Sequence, residues 1–321
     1  MAPSRVAYYM RRMLHSLPGF RDVIMRARHL QMKQTHRLVA ATSVALAFLA
    51  IVTCMAAQPP ASVKLVLVGR DGTRTTVGDL PPDAFSPRVS PDGRRLSFES
   101  LGAAWIADMQ DLASRRAFKP ANVPNVSFPV WQDSGRLIFI ATQGRQSLYS
   151  AGTSQAQKAD VLVDVARAPD GWSAAAGGTS FITLNGDDYD IWFHSAATKQ
   201  VTPLVVISGS RQLSSQISPD GKWLAYKSDE TGSFEIWVQP FPAGPRTRLT
   251  TAGGRNPRWS ADGRELFFDD DFHINAMTIK TDGPLTFSTG QPLPIDGFVQ
   301  AGSLRRQWDL TPDGRFVVMV R

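Results

Sequence analysis

A short motif recurs along the chain at nearly constant intervals, and this limits the possible folds more than any other feature. A small polar residue precedes Asp-Gly, and a basic residue and an apolar run follow. The motif reads Ser90-Pro91-Asp92-Gly93-Arg94, Ser218-Pro219-Asp220-Gly221-Lys222, Ser260-Ala261-Asp262-Gly263-Arg264 and Thr311-Pro312-Asp313-Gly314-Arg315. A weaker copy is Gln132-Asp133-Ser134-Gly135-Arg136, and a degenerate one has Gly177-Gly178 before Thr179-Ser180-Phe181-Ile182. Turn glycines at 93, 135, 178, 221, 263 and 314 are separated by 42, 43, 43, 42 and 51 residues. That period fits one four-stranded blade of a β-propeller.

Each copy has the same internal order. Asp-Gly makes a tight hairpin turn, because Gly accepts a positive φ without steric cost. An apolar strand follows, as in Leu96-Ser97-Phe98 or Leu266-Phe267-Phe268, and then a strand with an aromatic at Trp105, Tyr149, Trp192 or Trp237. Period-two alternation marks these runs as strands. The last repeat stops at Arg321, two strands short, while Val63–Val68 and Arg74–Val77 are two spare strands at the other end. Pairing them closes the ring and leaves no open edge. The expectation is an all-β, six-bladed propeller over residues 63–321, with the long last spacing explained by a loop around Gly283–Gly302.

The formal net charge of +7 is carried entirely by residues 1–37, a basic N-terminal extension with eight basic residues against Asp22 alone. The remainder is balanced and lacks the basic stripe that nucleic-acid binding needs, so no nucleic-acid partner is expected. Leu38 to Ala57 is a run of twenty residues without a charge, about a bilayer's span. It reads as a permanent inner-membrane anchor, as a signal peptide beginning at Met32 and cut before Gln58, or as a lipoprotein signal ending at Cys54. All three readings export the propeller region, to the periplasm or the cell exterior. Cys54 is the single cysteine, which excludes an internal disulfide and a cysteine-based zinc site by count.

The runs SPDGRRLSF, SPDGKWLAY and SADGRELFF resemble the WD40-like repeat called PD40, found in the propeller of TolB. The stretch from Ser228 to Phe268 is similar to propellers that follow membrane-anchored bacterial serine/threonine kinases. The resemblance covers about residues 63–321 and implies the propeller fold. It implies a range of roles, because these repeats serve scaffolds, sensors and the gating domains of peptidases. TolB carries a small α/β domain before its propeller, whereas here only the leader precedes residue 63. The kinase and peptidase relatives carry a catalytic domain for which this length is expected to leave no room.

Motifs for chemistry are sparse. Gly-x-Ser-x-Gly is absent, and the propeller has only His194 and His273 as imidazoles. His194 lies on an aromatic strand and reads as a core or strand-surface residue. The acids Asp187-Asp188-Tyr189-Asp190 and Asp269-Asp270-Asp271 read as turn residues rather than calcium ligands. The repeated aspartates Asp92, Asp220, Asp262 and Asp313 read as structural. Trp131 and Trp259 share the between-blade core register with Val89, Ala174, Ile217 and Leu310. Trp172 and Trp308 break the register and read as exposed.

One register is less bland. The residues five before each turn glycine are Arg88, Val130, Ser173, Gln216, Arg258 and Asp309. They face away from the apolar packing, on the first strand of each blade, which lines the channel of a propeller. Arg88, Gln216, Arg258 and Asp309 are the candidate ligand-binding residues, a polar channel mouth for a peptide end or an anionic ligand. No catalytic residue, metal or cofactor is assigned. The sequence reading is a non-enzymatic, monomeric envelope module that binds a protein, peptide or ligand. Its alternatives are an extracytoplasmic sensor domain and, third, a propeller hydrolase built on blade carboxylates.

Overall fold

The computed structural model describes residues 62–154, 157–270, 272–298 and 304–321, and of Trp172 only the backbone. The basic extension, the apolar segment with Cys54, the cleavage point at Gln58, and Asp271 lie outside the described residues. Among the described residues no helix is long and apolar enough to cross a membrane.

The strands form six antiparallel sheets. In chain order, β1 (Val63–Val68) and β2 (Arg74–Leu80) come first. Blade 1 holds β3 (Phe85–Val89), β4 (Arg95–Ser100), β5 (Ala103–Asp108) and β6 (Arg116–Ala117). Blade 2 holds β7 (Ser127–Asp133), β8 (Arg136–Gln143), β9 (Arg145–Gly152) and β10 (Asp160–Val163). Blade 3 holds β11 (Ala168–Ser173), β12 (Gly178–Asn185), β13 (Asp188–Ser195) and β14 (Val201–Val205). Blade 4 holds β15 (Gln212–Ile217), β16 (Trp223–Ser228), β17 (Glu235–Pro240) and β18 (Thr247–Arg248). Blade 5 holds β19 (Arg255–Trp259), β20 (Glu265–Asp269), β21 (Ile274–Lys280), β22 (Thr286–Phe287) and β23 (Gln291–Pro292). Blade 6 is built from both ends of the fold, in the order β2-β1-β25-β24, with β24 (Trp308–Leu310) and β25 (Phe316–Val320). Leu65 pairs with Met319 and Leu67 with Val317, so the spare strands close the ring.

The recurring motif is a self-contained turn. Ser90 Oγ donates to Asp92 Oδ1 at 2.6 Å and accepts from Arg95 N at 2.9 Å, and Gly93 has φ 73°. Ser218, Asp220 and Trp223 repeat this bonding, as do Ser260, Asp262 and Glu265. Thr311 substitutes its hydroxyl in the last copy, toward Asp313 and Arg315. The hydroxyl and carboxylate satisfy backbone donors that the hairpin cannot pair, which is why the motif recurs as a unit.

Neighbouring blades share apolar clusters. Phe98 and Leu96 of blade 1 pack with Leu65 and Met319 of blade 6, while Ile106 of blade 1 packs with Phe139 and Tyr149 of blade 2. Second strands are covered on both faces by their neighbours, so β8 and β25 read as nearly continuous apolar runs rather than alternating ones. Each fully buried Leu, Ile or Phe contributes about 1.5–3 kcal/mol of transfer free energy.

Three expectations change. Trp308 is fully buried, not exposed: it shares the packing face with Leu310 two residues on, and its Nε1 donates to Asp269 Oδ2 at 2.7 Å. The insert before blade 6 is more than a loop. It contains β22 and β23, and Leu293, Ile295 and Phe298 bury themselves in the cluster between blades 5 and 6. Blade 3 is in a different register from the one its glycines suggest. Gly171 pairs with Ser180 and Ser173 with Gly178, so Gly171 and Trp172, not Ser173 and Ala174, match Arg88 and Val89. The turn there lacks Asp-Gly, and the positive φ falls on Gly177.

Candidate functional site

The first strand of each blade, β3, β7, β11, β15, β19 and β24, lies on the central channel. On the side of the Asp-Gly turns the channel widens into a cavity of about 790 Å³, and Arg88, Gln216, Arg258 and Asp309 all line it. The register argument therefore brings these four side chains to one place.

They are bonded to one another rather than free. Arg258 Nη1 donates to Gln216 Oε1 at 2.9 Å, and its Nε lies 3.4 Å from Asp309 Oδ1. The same carboxylate oxygen accepts from Arg306 Nη2 at 3.0 Å, while Asp309 Oδ2 accepts from the backbone N–H of Val89 at 2.9 Å. Arg88 Nη1 donates to the carbonyls of Pro87 and Arg306, at 2.7 and 3.0 Å. Its Nε is buried without a hydrogen-bond partner.

Three guanidinium groups thus converge on Asp309. Burial opposes the Asp309 charge, but Arg258, Arg306 and Arg88 overcome it and hold the carboxyl below its usual range. Burial, with Arg88 next, pushes the Arg306 pKa down to about 9, and burial lowers that of Arg88 too. A further carboxylate on this cavity is Asp170 of blade 3. Burial raises it to about 6, against the N–H and hydroxyl of Ser215, which donate to Asp170 Oδ2 at 2.9 and 2.7 Å.

Toward the opposite face the channel narrows to about 20 Å³, lined by Ser86, Phe128, Ser214 and Asn256. These four share another register, two residues before Arg88, Val130, Gln216 and Arg258. Each has a left-handed backbone, with φ of 60°, 55°, 56° and 51°. The pairing slips at this point in blades 1, 2, 4 and 5, the mark of a β-bulge. A bulge frees ladder donors, and side chains of the preceding blade take them up. Ser86 N donates to Gln307 Oε1 at 3.1 Å, as Ser215 N does to Asp170.

Trp131 and Trp259 occupy the core register as expected, and each Nε1 donates to the carbonyl of the preceding blade's channel residue, Arg88 at 2.9 Å and Gln216 at 3.2 Å. Asp270 caps its own hairpin through the N–H groups of Phe272 and His273. Sequence reasoning missed Arg306, which follows the unrepeated insert, and Asp170, hidden by the shifted register of blade 3. Trp172 was an available signal: aligned with Trp131 and Trp259, it puts Gly171 on the channel and Asp170 one residue before it.

No protein-family model matches the chain. Dipeptidyl aminopeptidase BIII of Pseudoxanthomonas mexicana is 30% identical over 96 residues, 27% of this chain and 14% of the peptidase. Tricorn protease homolog 1 of Streptomyces coelicolor is 35% identical over 85 residues, 26% of this chain and 7% of the protease. The matches thus span a small part of either relative. Among solved structures, a protein described as TolB from Agrobacterium tumefaciens aligns with a TM-score of 0.62 at 17% identity, over 81% of this chain and 98% of that one. TolB of Acinetobacter baumannii gives 0.52 at 18% identity, over 76% and 68%. An oligogalacturonate lyase in complex with manganese gives 0.53 at 14% identity, over 80% and 82%. Among the described residues of this chain, no three His, Cys, Asp or Glu side chains gather where they could hold a metal ion. At these identities the likenesses establish the fold, and that fold is a TolB-like six-bladed β-propeller.

Proposed function

We propose that this propeller is a non-enzymatic binding module of the cell envelope, and that its wide channel mouth takes an anionic group, such as a peptide's carboxyl end. The carrying observation is the convergence of Arg88, Arg258 and Arg306 on Asp309. Arg70 and Glu265, also on the lining, are paired with each other, and Arg88 Nε has no hydrogen-bond partner. An incoming carboxylate can accept from these guanidinium groups, and a desolvated arginine cluster favours it strongly. The ionisable side chains on the lining are arginines and carboxylates, and neither His194 nor His273 is among them. This supports recognition over hydrolysis.

The export part of the reading rests on the sequence, on the basic residues of 1–37 and the uncharged run 38–57. The test is a crosslinking pull-down of the tagged full-length protein from its own envelope, read by mass spectrometry. A specific protein partner crosslinked near the channel mouth supports the module. Recovered peptides from before Gln58 would show a retained anchor and favour the sensor reading. Capture confined to the outer blade edges would contradict the channel as the binding site, and turnover by the purified protein in a hydrolase panel would contradict the non-enzymatic reading.

A further inference from the structure

A second concavity lies between blades 2 and 3. It encloses about 560 Å³, within the range of small-molecule pockets, and shares only Gln132 with the lining of the channel mouth. Arg136, Ser150 and Asp160 of blade 2 stand on one side, and His194 and Lys199 of blade 3 on the other. We propose that this cleft binds a small molecule with an anionic head, a phosphate or a carboxylate, on an apolar body.

His194 is the first ground. It is 2% exposed, and its Nδ1 is sealed from solvent with no hydrogen-bond partner. Buried polar atoms without a partner are rare, and each calls for an explanation. Burial, and then Lys199, lowers its pKa, so the imidazole is neutral near pH 7. A sealed N–H with nothing to accept it is the rarer arrangement, so the proton is assigned to Nε2. Nε2 is then a donor left for a ligand in the cleft.

The charged walls are the second ground. Arg136 is held only by long contacts, at 3.3–3.4 Å to Ser150 Oγ and 3.3 Å to Asp160, whose side chain is 74% exposed. An exposed pair of that length is weak, so a bound anion can displace it. Lys199 makes no ion pair among the described residues. Guanidinium, ammonium and imidazole N–H together suit an oxyanion. Val161 is more than half exposed beside them, and with Leu162 it offers an apolar wall for the rest of the ligand.

The experiment uses the full-length protein with carbon-13 at the histidine ε1 positions, the His194 resonance being assigned with His194→Gln. Phenyl phosphate and benzoate are the probes, and benzyl alcohol is the neutral counterpart. The expected result is a saturable shift of the His194 resonance with one or both anions and a rise in its apparent pKa. Lys199→Met, at an exposed position, should weaken that binding about tenfold, the loss of one charge-assisted contact. The tighter anion identifies the head group. The inference is overturned if neither anion moves the His194 resonance, if benzyl alcohol moves it as far, or if Lys199→Met binds unchanged.

Discussion

Val89 N donates to Asp309 Oδ2 at 2.9 Å, joining two residues 220 positions apart across the seam between the last blade and the first. The other oxygen of that carboxylate is shared by Arg306 and Arg258. One side chain therefore satisfies a backbone donor of blade 1, holds a buried arginine of its own blade, and reaches an arginine of blade 5. Asp309→Ala should leave those cations unpaired and cost about 3–5 kcal/mol of stability. Asp309→Asn, which keeps an acceptor, should cost less. Urea denaturation of both variants measures the difference, and equal losses would mean that the charge is immaterial.

The Asp170 carboxyl titrates at about 6 in the fold, against an ordinary value of 3.8. Between those values the folded chain keeps a proton that the unfolded chain has lost. Stability should therefore fall as pH rises through this window, by on the order of 2–3 kcal/mol, and stay lower above it. Asn at position 170 can still accept from Ser215, so Asp170→Asn should flatten this part of the pH profile. Thermal melts across pH 4–7 test this, and an unchanged slope in the variant would refute it.

Turn glycines with the same backbone should differ in what they tolerate. A Cβ on Gly93 would come within 3.1 Å of Pro312 in the neighbouring blade, whereas nothing lies near one on Gly314. Gly314→Ala should cost about 1–2 kcal/mol, the penalty of a positive φ alone. Gly93→Ala should cost measurably more, with a lower midpoint in denaturant.

Arg88→Ala combined with Arg258→Ala should weaken any carboxylate ligand of the channel at least tenfold, since each charge-assisted bond is worth about 1.5–3 kcal/mol. The wild-type affinity should fall with added salt more steeply than that of the double variant. Isothermal titration at two ionic strengths reads both effects, and unaltered affinity would move the ligand away from these arginines.

The fold was legible because its unit is local. Ser90, Asp92 and Gly93 form one bonded turn, and its repetition announced the blades and their number. The four channel residues were legible for the same reason, as a fixed offset from that turn. What failed was whatever the turn did not control. In blade 3 an alanine turn replaced Asp-Gly, the offset slipped by two, and Asp170 went unseen. Arg306 follows an insert with no counterpart in other blades. The left-handed residues Ser86, Phe128 and Ser214 have side chains that disfavour that conformation, so only the tertiary bulge reveals them.

The pairing of β1 with β25 also sets an order of events. Leu65 leaves synthesis long before Met319, so the ring cannot shut until β25 has emerged. Until then β1 and the inner face of blade 1 present open hydrogen-bonding edges and bare apolar surface, the form most prone to association with other chains. Closure across so great a sequence separation is slow compared with the hairpins inside each blade. A protease cut between blade 5 and β24 would release the latch while leaving five blades covalently whole. Ring opening, rather than the loss of any single blade, should then be the first step of unfolding.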